Sequence, residues 1–423
     1  MTLTPPPLRR PRSVRPKAPC PQAPRVRIPP RPCLPPRVTL GTRAAALLDR
    51  ADREVLWLYL LTRISLWVTA YCTRWLFPGR SDTRAAGSVL AAFEQWDWHH
   101  YLHIARDGYF PEPAGGGSGQ DDGDNREAFF PGFPLALRAV HAMVPHWTGA
   151  GLLISFVAGA VAVLALARLA RWYLPDPRAG RRTVLLFLLS PCAVFLAAGY
   201  TEALFLALAL PAWLAALRHR WPLAAGLTTL ATTVRVSGLF LAAAVAVHFL
   251  LAVRSRGDLR ALPWLALPAV PAALYAWYLH AHTGDWLAWN HAQERGWYRA
   301  FHTPWESWSV TWDAAFDGVH TTGYAVMFQA ELLSMVAGLV LCCVQLRRRR
   351  WSEAVYIGLT LAALGTSYWY MSLPRSTLLW WPLWIGLAAW SLRRPRVATV
   401  YLCLAAPLGT VFAVTFLSGR WAG

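Results

Sequence analysis

The chain has 423 residues, of which 56% are hydrophobic and 15% charged, and its mean hydropathy is +0.31. Soluble domains carry about 25% charged residues, so composition alone sets aside a soluble globular enzyme. A net charge of +19 would point to nucleic acid in a soluble protein. In a chain this apolar, where the charge falls matters more than its sum.

From the N-terminus, residues 1–45 contain the runs PPPLRRPRSVRPKAP and RIPPRPCLPPR. Proline blocks helix interiors there and arginine finds no apolar face, so a disordered or extended cytoplasmic tail is expected. Such a polybasic arm suits an anionic lipid surface or simple solvation, and it has no apolar core of the kind a signal peptide needs. Residues 46–423 read as one multi-span membrane domain. Apolar runs lie at 55–77, 150–170, 183–199, 203–217, 222–234, 236–253, 262–281, 324–346, 354–372, 377–392 and 397–417. Crossing a hydrocarbon layer of roughly 30 Å takes about 20 apolar residues, and these runs predict eleven spans. The stretch Phe129–Pro145 is apolar too, but its three prolines and Arg138 predict a re-entrant or interfacial segment. The expected fold class is therefore an all-α polytopic integral membrane protein. Lys17 is the only lysine, and the bias to arginine, alanine, proline, leucine and tryptophan suggests a high-GC bacterial genome. The seven cysteines, Cys20, Cys33, Cys72, Cys192, Cys342, Cys343 and Cys403, have no spacing that resembles a metal knuckle or a disulfide framework.

Charge sets the orientation. With eleven spans, one face receives the tail through Arg53, the turn 168–182, Arg218 and Arg220, the turn 254–260, the turn 347–353 and the turn 393–396, with 29 basic and 5 acidic residues in all. The opposite face receives the loop 78–128, with 4 basic and 9 acidic residues, and the loop 281–323, with 2 and 5. The positive-inside rule makes the first face cytoplasmic, in a multi-pass protein of the cell membrane, and turns both long loops outward.

The chemistry-bearing residues fall on that outward face. EQWDWHHYLHIARDGYF, Glu94–Phe110, reads as an amphipathic helix lying on the membrane surface, with Trp96, Asp97 and Tyr101 as candidates and Tyr101 one turn beyond Asp97. Asp97 could also be no more than a helix cap. His99 and His103 have the i, i+4 spacing of a helical metal site, but no third ligand follows, and no metal is expected. The run GGGSGQDDGDN, 115–125, lacks the spacing of a calcium loop and reads as a flexible acidic loop. Glu202, in GYTEALF, stands at an outer turn, where a carboxylate is costly unless paired or wetted but also suits a helix N-terminus. Arg235 and Arg375 are isolated from the cytoplasmic arginine clusters; they can snorkel to headgroups or hold a lipid phosphate. The second outer loop adds His291, Gln293 and Arg295 among tryptophans, a mixture that suits a sugar as well as an interfacial aromatic belt.

Five strings are recognisable together. W-D-x-x-x-Y-L-x-I-A-x-x-G-Y from Trp96 to Tyr109, A-F-F-P from Ala128 to Pro131, and S-P-x-x-x-F-L-x-A-x-Y-T-E from Ser190 to Glu202 are followed by G-D-x-L-A-x-x-H-A-Q from Gly284 to Gln293 and P-R at Pro374 and Arg375. In this order they resemble the mannosyltransferase II family of glycosylphosphatidylinositol anchor synthesis, and its bacterial relatives most of all, over about residues 55–400. The resemblance implies a membrane glycosyltransferase of the C fold that uses mannose carried on a polyprenyl phosphate. It places the family's first-loop aspartate at Asp97 and its Y-T-E glutamate at Glu202. Val236 stands where the family usually has proline, and Trp98, His99 and His100 are bulkier than usual, departures that bear on the acceptor.

The residues themselves agree with that expectation. A lipid-linked sugar phosphate carries its own leaving group, so no nucleotide-binding domain and no cofactor are needed, and no G-x-G-x-x-G follows a strand pattern. The partners expected are the donor, a lipid or glycan acceptor and membrane lipid, with no nucleic acid. Asp97 is the candidate base, Arg235, Arg375 and Arg295 are candidates for the phosphate, and direct attack would invert the anomeric centre. The competing readings are a transporter or lipid flippase, which would favour mid-membrane ionisable residues and two related halves, and an enzyme of the same fold with another donor sugar.

Overall fold

A computed structural model describes residues 49–76, 88–111, 125–253 and 258–423. The Pro/Arg tail, and the acidic run 115–125 apart from Asn125, lie outside the described residues. Among those residues there are sixteen α-helices and no strand. In chain order they are α1 (Arg50–Leu76), α2 (Asp97–Asp107), α3 (Gly132–His141), α4 (Trp147–Tyr173), α5 (Ala179–Leu188), α6 (Thr201–Leu217), α7 (Trp221–Val234) and α8 (Ser237–Ala252). There follow α9 (Ala269–Thr283), α10 (Ala288–Trp297), α11 (Pro304–Phe316), α12 (Thr322–Arg347), α13 (Trp351–Gly365), α14 (Leu373–Ser376), α15 (Trp381–Arg393) and α16 (Pro395–Leu417).

Five helical segments are long and apolar enough to cross a membrane: α1, α4, the continuous stretch Leu259–Thr283 that ends in α9, α12 and α16. Helix α4 is 61% buried over its apolar window, against 22% for α1 and 28% for α16, so α4 runs through the centre of the bundle and the other two flank it. It packs along α6, α6 along α7, and α8 along α13. The charged start of α1 and end of α4 are tied together by ion pairs. Asp52, fully buried at the start of α1, accepts from Arg168 at 2.7 Å and Arg171 at 2.6 Å at the end of α4.

Several expected spans are interrupted, each for a local reason. The run 183–199 is not one helix: α5 stops at Leu188, and a 3-10 turn, Ala193–Leu196, follows Pro191. A residue before proline is driven out of the α region, and proline cannot donate to the helix. The run 354–372 is helical only to Gly365, and the run 377–392 begins as a 3-10 turn before Pro382 opens α15. The stretch after Phe129 forms the ten-residue α3, too short to span, as its prolines imply.

Helix α2 departs from expectation in its surroundings. Its apolar face, Trp98, Tyr101, Ile104 and Ala105, is buried against the protein rather than laid on lipid, and α2 packs on α3. Trp98 is wholly buried, and its ring occupies the space where a Cβ on Gly151 or Gly199 would stand. Only glycine at those two positions lets α4 and the turn before α6 approach the indole, which fixes the helix that starts one residue earlier, at Asp97.

Candidate functional site

The site lies where the first turns of α2, α6 and α8 and the end of α7 meet the short helix α14. Asp97 opens α2, Glu202 opens α6, and Arg235 is the extended residue between α7 and α8. Arg375 comes from α14, whose start is unusual. Ser372 adopts φ +71°, a left-handed conformation, and the backbone N–H groups of Ser372 and Leu373 donate to the carboxylate of Glu331 on α12 at 2.7 and 2.8 Å. Glu331 is fully buried and meets the orphan donors that every helix start leaves.

These residues form a chain of charge-assisted hydrogen bonds. Arg375 Nη1 donates to Asp97 Oδ2 at 2.7 Å. Its Nε donates to Glu202 Oε1, and Arg235 Nη1 donates to that same oxygen. Arg235 also donates to the Thr201 hydroxyl at 2.7 Å. Arg375 lies over the rings of Tyr200 and Phe195, at 4.7 and 5.0 Å from their centroids. Glu202 is 0% exposed and the Arg375 side chain 8%, whereas the Asp97 and Arg235 side chains keep 17% and 20%. Glu202 therefore neutralises two guanidinium groups from behind, and Asp97 and Arg235 reach open space.

Electrostatics follow from this packing. Burial works against the ionised form of Asp97, but the attraction and hydrogen bond of Arg375 outweigh it, and the carboxyl lies below the usual aspartate range. Burial likewise opposes the charge of Arg375, which Glu202 and Asp97 hold above the ordinary arginine value. Arg299 is pushed down to about 10 by desolvation and by the neighbouring Arg235, and so stays cationic at neutral pH.

Two cavities open on this group. The first, about 300 Å³, is lined by Asp97, Tyr101, Arg235, Arg299 and Arg375, with Gln293 and Trp289 on its far wall. The second, about 620 Å³, is largely aromatic and shares Asp97, Trp297, Ser372 and Arg375 with the first. Among the described residues no group of three or more histidine, cysteine, aspartate or glutamate side chains comes together as a metal ion requires.

Of the residues singled out from sequence, Asp97, Glu202, Arg235 and Arg375 come together, with Tyr101 and Gln293 on the same cavity. Glu202 lines neither cavity. Trp96 lines only the second, and its indole N–H donates to the Arg420 carbonyl at 3.3 Å. His291 and Arg295 stand elsewhere. His291 pairs with Asp285 at 2.7 Å within its own exposed turn, and Arg295 faces Asn125 and Glu127. Sequence reasoning passed over Arg299 and Glu331. Arg299 is as isolated from the cytoplasmic clusters as Arg235, and Glu331 is the only carboxylate in the run 324–346; both signals were present.

Comparison with known proteins shows what the chain is similar to over part of its length. The profile of the family described as Mannosyltransferase (PIG-V) matches residues 62–255. The chain is 33% identical to mouse (Mus musculus) GPI alpha-1,6-mannosyltransferase 2 over 219 residues, 48% of this chain and 41% of the mouse protein. It is 36% identical to the human (Homo sapiens) protein of the same name over 200 residues, 45% of this chain and 37% of the human one. The matches thus span about two fifths of those relatives. They include Asp97, Glu202 and Arg235 and leave Arg299, Glu331 and Arg375 outside the family profile. Over residues 62–255, the part of the fold that supplies the aspartate, the glutamate and the first arginine of the site, the chain is similar to the family described as Mannosyltransferase (PIG-V).

Proposed function

We propose that the chain is a glycosyltransferase of the C fold that moves mannose from a polyprenyl phosphate mannose to a hydroxyl of a lipid-linked or glycan acceptor. It crosses the membrane about eleven times, with the N-terminal tail cytoplasmic and the site outward. The observation that carries this reading is the placing of a carboxylate, Asp97, beside three arginines, Arg235, Arg299 and Arg375, on one cavity. The family match and the names of the mouse and human relatives support the sugar.

The chemistry is direct displacement. Asp97 takes the proton of the acceptor hydroxyl, the oxygen attacks the anomeric carbon, and the bond from that carbon to the phosphate oxygen breaks. The electron pair leaves with the polyprenyl phosphate and the anomeric centre inverts. The charge that builds on the phosphate is met by arginines fixed before the donor arrives, and preorganisation of this kind is the largest contribution in many enzymes. With that charge met by guanidinium groups, no metal or cofactor is invoked. A transporter would use an ionisable residue within its spans for its cargo; Glu331, the carboxylate within α12, already accepts from two backbone N–H groups.

The test is incubation of membranes with radiolabelled polyprenyl phosphate mannose and lipid extract, followed by separation of mannosylated products. A new labelled product is expected. Asp97→Asn preserves shape and removes the proton acceptor, a change that typically costs about 10² to 10⁴ in rate, or roughly 3 to 5 kcal/mol of barrier. A normally inserted Asp97→Asn that kept more than about a tenth of turnover would remove Asp97 as the base.

A further inference from the structure

We infer that the two cavities divide the substrates. The first takes the sugar phosphate of the donor, and the second binds the acceptor through a sugar or polyol ring that carries no phosphate at that point. The inference rests on the transfer reading above and adds which wall binds which partner and what acceptor chemistry the wall admits.

The distribution of charge carries it. Arg235 and Arg299 line only the first cavity, while His99, His320, Trp369 and Trp421 line only the second. Among the described residues the sole guanidinium on the second cavity is that of Arg375, and two of its three nitrogens, Nε and Nη1, already donate to Glu202 and Asp97. A phosphate there would have to compete with two carboxylates for one arginine, whereas in the first cavity it meets Arg235 and Arg299 as well.

The second cavity has what a ring with several hydroxyls uses: flat aromatic faces and scattered polar atoms. His320, Phe328 and Trp369 form a continuous aromatic wall, with ring centroids 5.3 to 6.3 Å apart. At about 620 Å³ the space lies within the roughly 300 to 1,000 Å³ of sites that enclose a small ligand. Asp97, on both cavities, is the one carboxylate placed to take a proton from a hydroxyl in the second while the anomeric carbon waits in the first.

Saturation kinetics with two probes test the division: radiolabelled polyprenyl phosphate mannose, and total lipid extract of the host membrane as the source of acceptor. His320→Ala and Trp369→Phe, the latter keeping an aromatic ring in the wall, are expected to raise the half-saturating extract concentration about 5- to 10-fold, with donor half-saturation within about twofold. Arg299→Gln is expected to raise donor half-saturation about tenfold or more and leave that of the extract within about twofold. His99→Ala, at an exposed position, provides a second-cavity variant with little risk to folding and should move in the same direction as His320→Ala. If second-cavity variants shift the donor constant as much as the extract constant, or Arg299→Gln shifts the extract constant, the division is wrong while mannosyl transfer stands. If the wild-type protein forms no labelled product, the transfer reading itself falls and the division with it.

Discussion

Asp97 and Arg375 set each other's charge, which gives the site its pH behaviour. A base acts ionised. Asp97 ionises below the ordinary aspartate value of about 3.9, because Arg375 outweighs the effect of burial. Its contribution is therefore fully present at neutral and mildly acid pH and is lost only as pH falls through that lowered value. Arg375→Gln removes the lowering influence and leaves the burial, so the acid limb of the rate profile should move to higher pH, in addition to a fall in rate; profiles of identical shape would mean that Asp97 is not the base. Glu202 invites a different measurement. It is 0% exposed and holds two arginines, and breaking a buried pair costs about 3 to 5 kcal/mol. Glu202→Gln should lower the thermal unfolding midpoint in detergent, whereas Asp97→Asn should leave it near wild type. A Glu202→Gln protein that melted normally yet lost as much rate as Asp97→Asn would mark Glu202 as a reacting group. At this scale the sequence pointed to Glu202, Arg235 and Arg375 as ionisable residues at the ends of apolar runs, and to Asp97 as the carboxylate in an amphipathic stretch of the first outer loop. It misplaced His291, because nothing in its spacing reveals that Asp285, six residues earlier, folds back to accept its ring N–H.

The short helix α14 exists through a residue on another helix. Glu331 receives the N–H groups of Ser372 and Leu373, and so fixes a left-handed serine and the guanidinium three residues beyond it. Glu331→Gln keeps an acceptor for one N–H and turns an amide toward the other. A misplacement of about 1 Å at a reacting group can cost 10²-fold, so turnover should fall about 10- to 100-fold. Because the effect passes through Arg375, donor half-saturation should rise with it, and the acid limb should shift in the direction expected for Arg375→Gln. A drop in folded yield alone, with unchanged constants for what remains, would make Glu331 structural only. Elements were the most legible level, since apolar runs located most helices within a few residues. The exceptions are the segments that build the site: the 3-10 turn after Pro191, the irregular chain from Thr366 to Ser372 and the buried face of α2. Hydropathy reports how apolar a run is and not whether protein or lipid covers it, so the burial of Trp98 between two glycines could not be read from it.

For the whole molecule, the arginine count predicts sidedness, and the prediction is open to labelling. In a background without native cysteines, a cysteine at position 290 should react with an impermeant thiol reagent in intact cells, and one at 349 or 394 should not. Labelling at 394 but not at 290 would invert the molecule and remove the outward site. The number of crossings is hard to read from the sequence, because several runs counted as spans are short. Helices α6, α7, α8, α13 and α15 have 17, 14, 16, 15 and 13 residues, or about 20 to 25 Å at 1.5 Å per residue, against a hydrocarbon layer of about 30 Å. Helices α6, α7, α8 and α13 each reach the site at one end, and the opposite ends of α6, α7 and α13 adjoin Arg218, Arg220 and Arg350. On the proposed topology, and measured from the arginine-rich side, helices of that length would set the floor of both cavities several ångströms short of the far edge of the hydrocarbon, in a well below the reach of a full-length span. A lipid-borne sugar phosphate would reach Arg235 by sinking into that well with its chain still among its neighbours. The protein would have no need to lift the carrier out of the bilayer; it lowers the water to meet it.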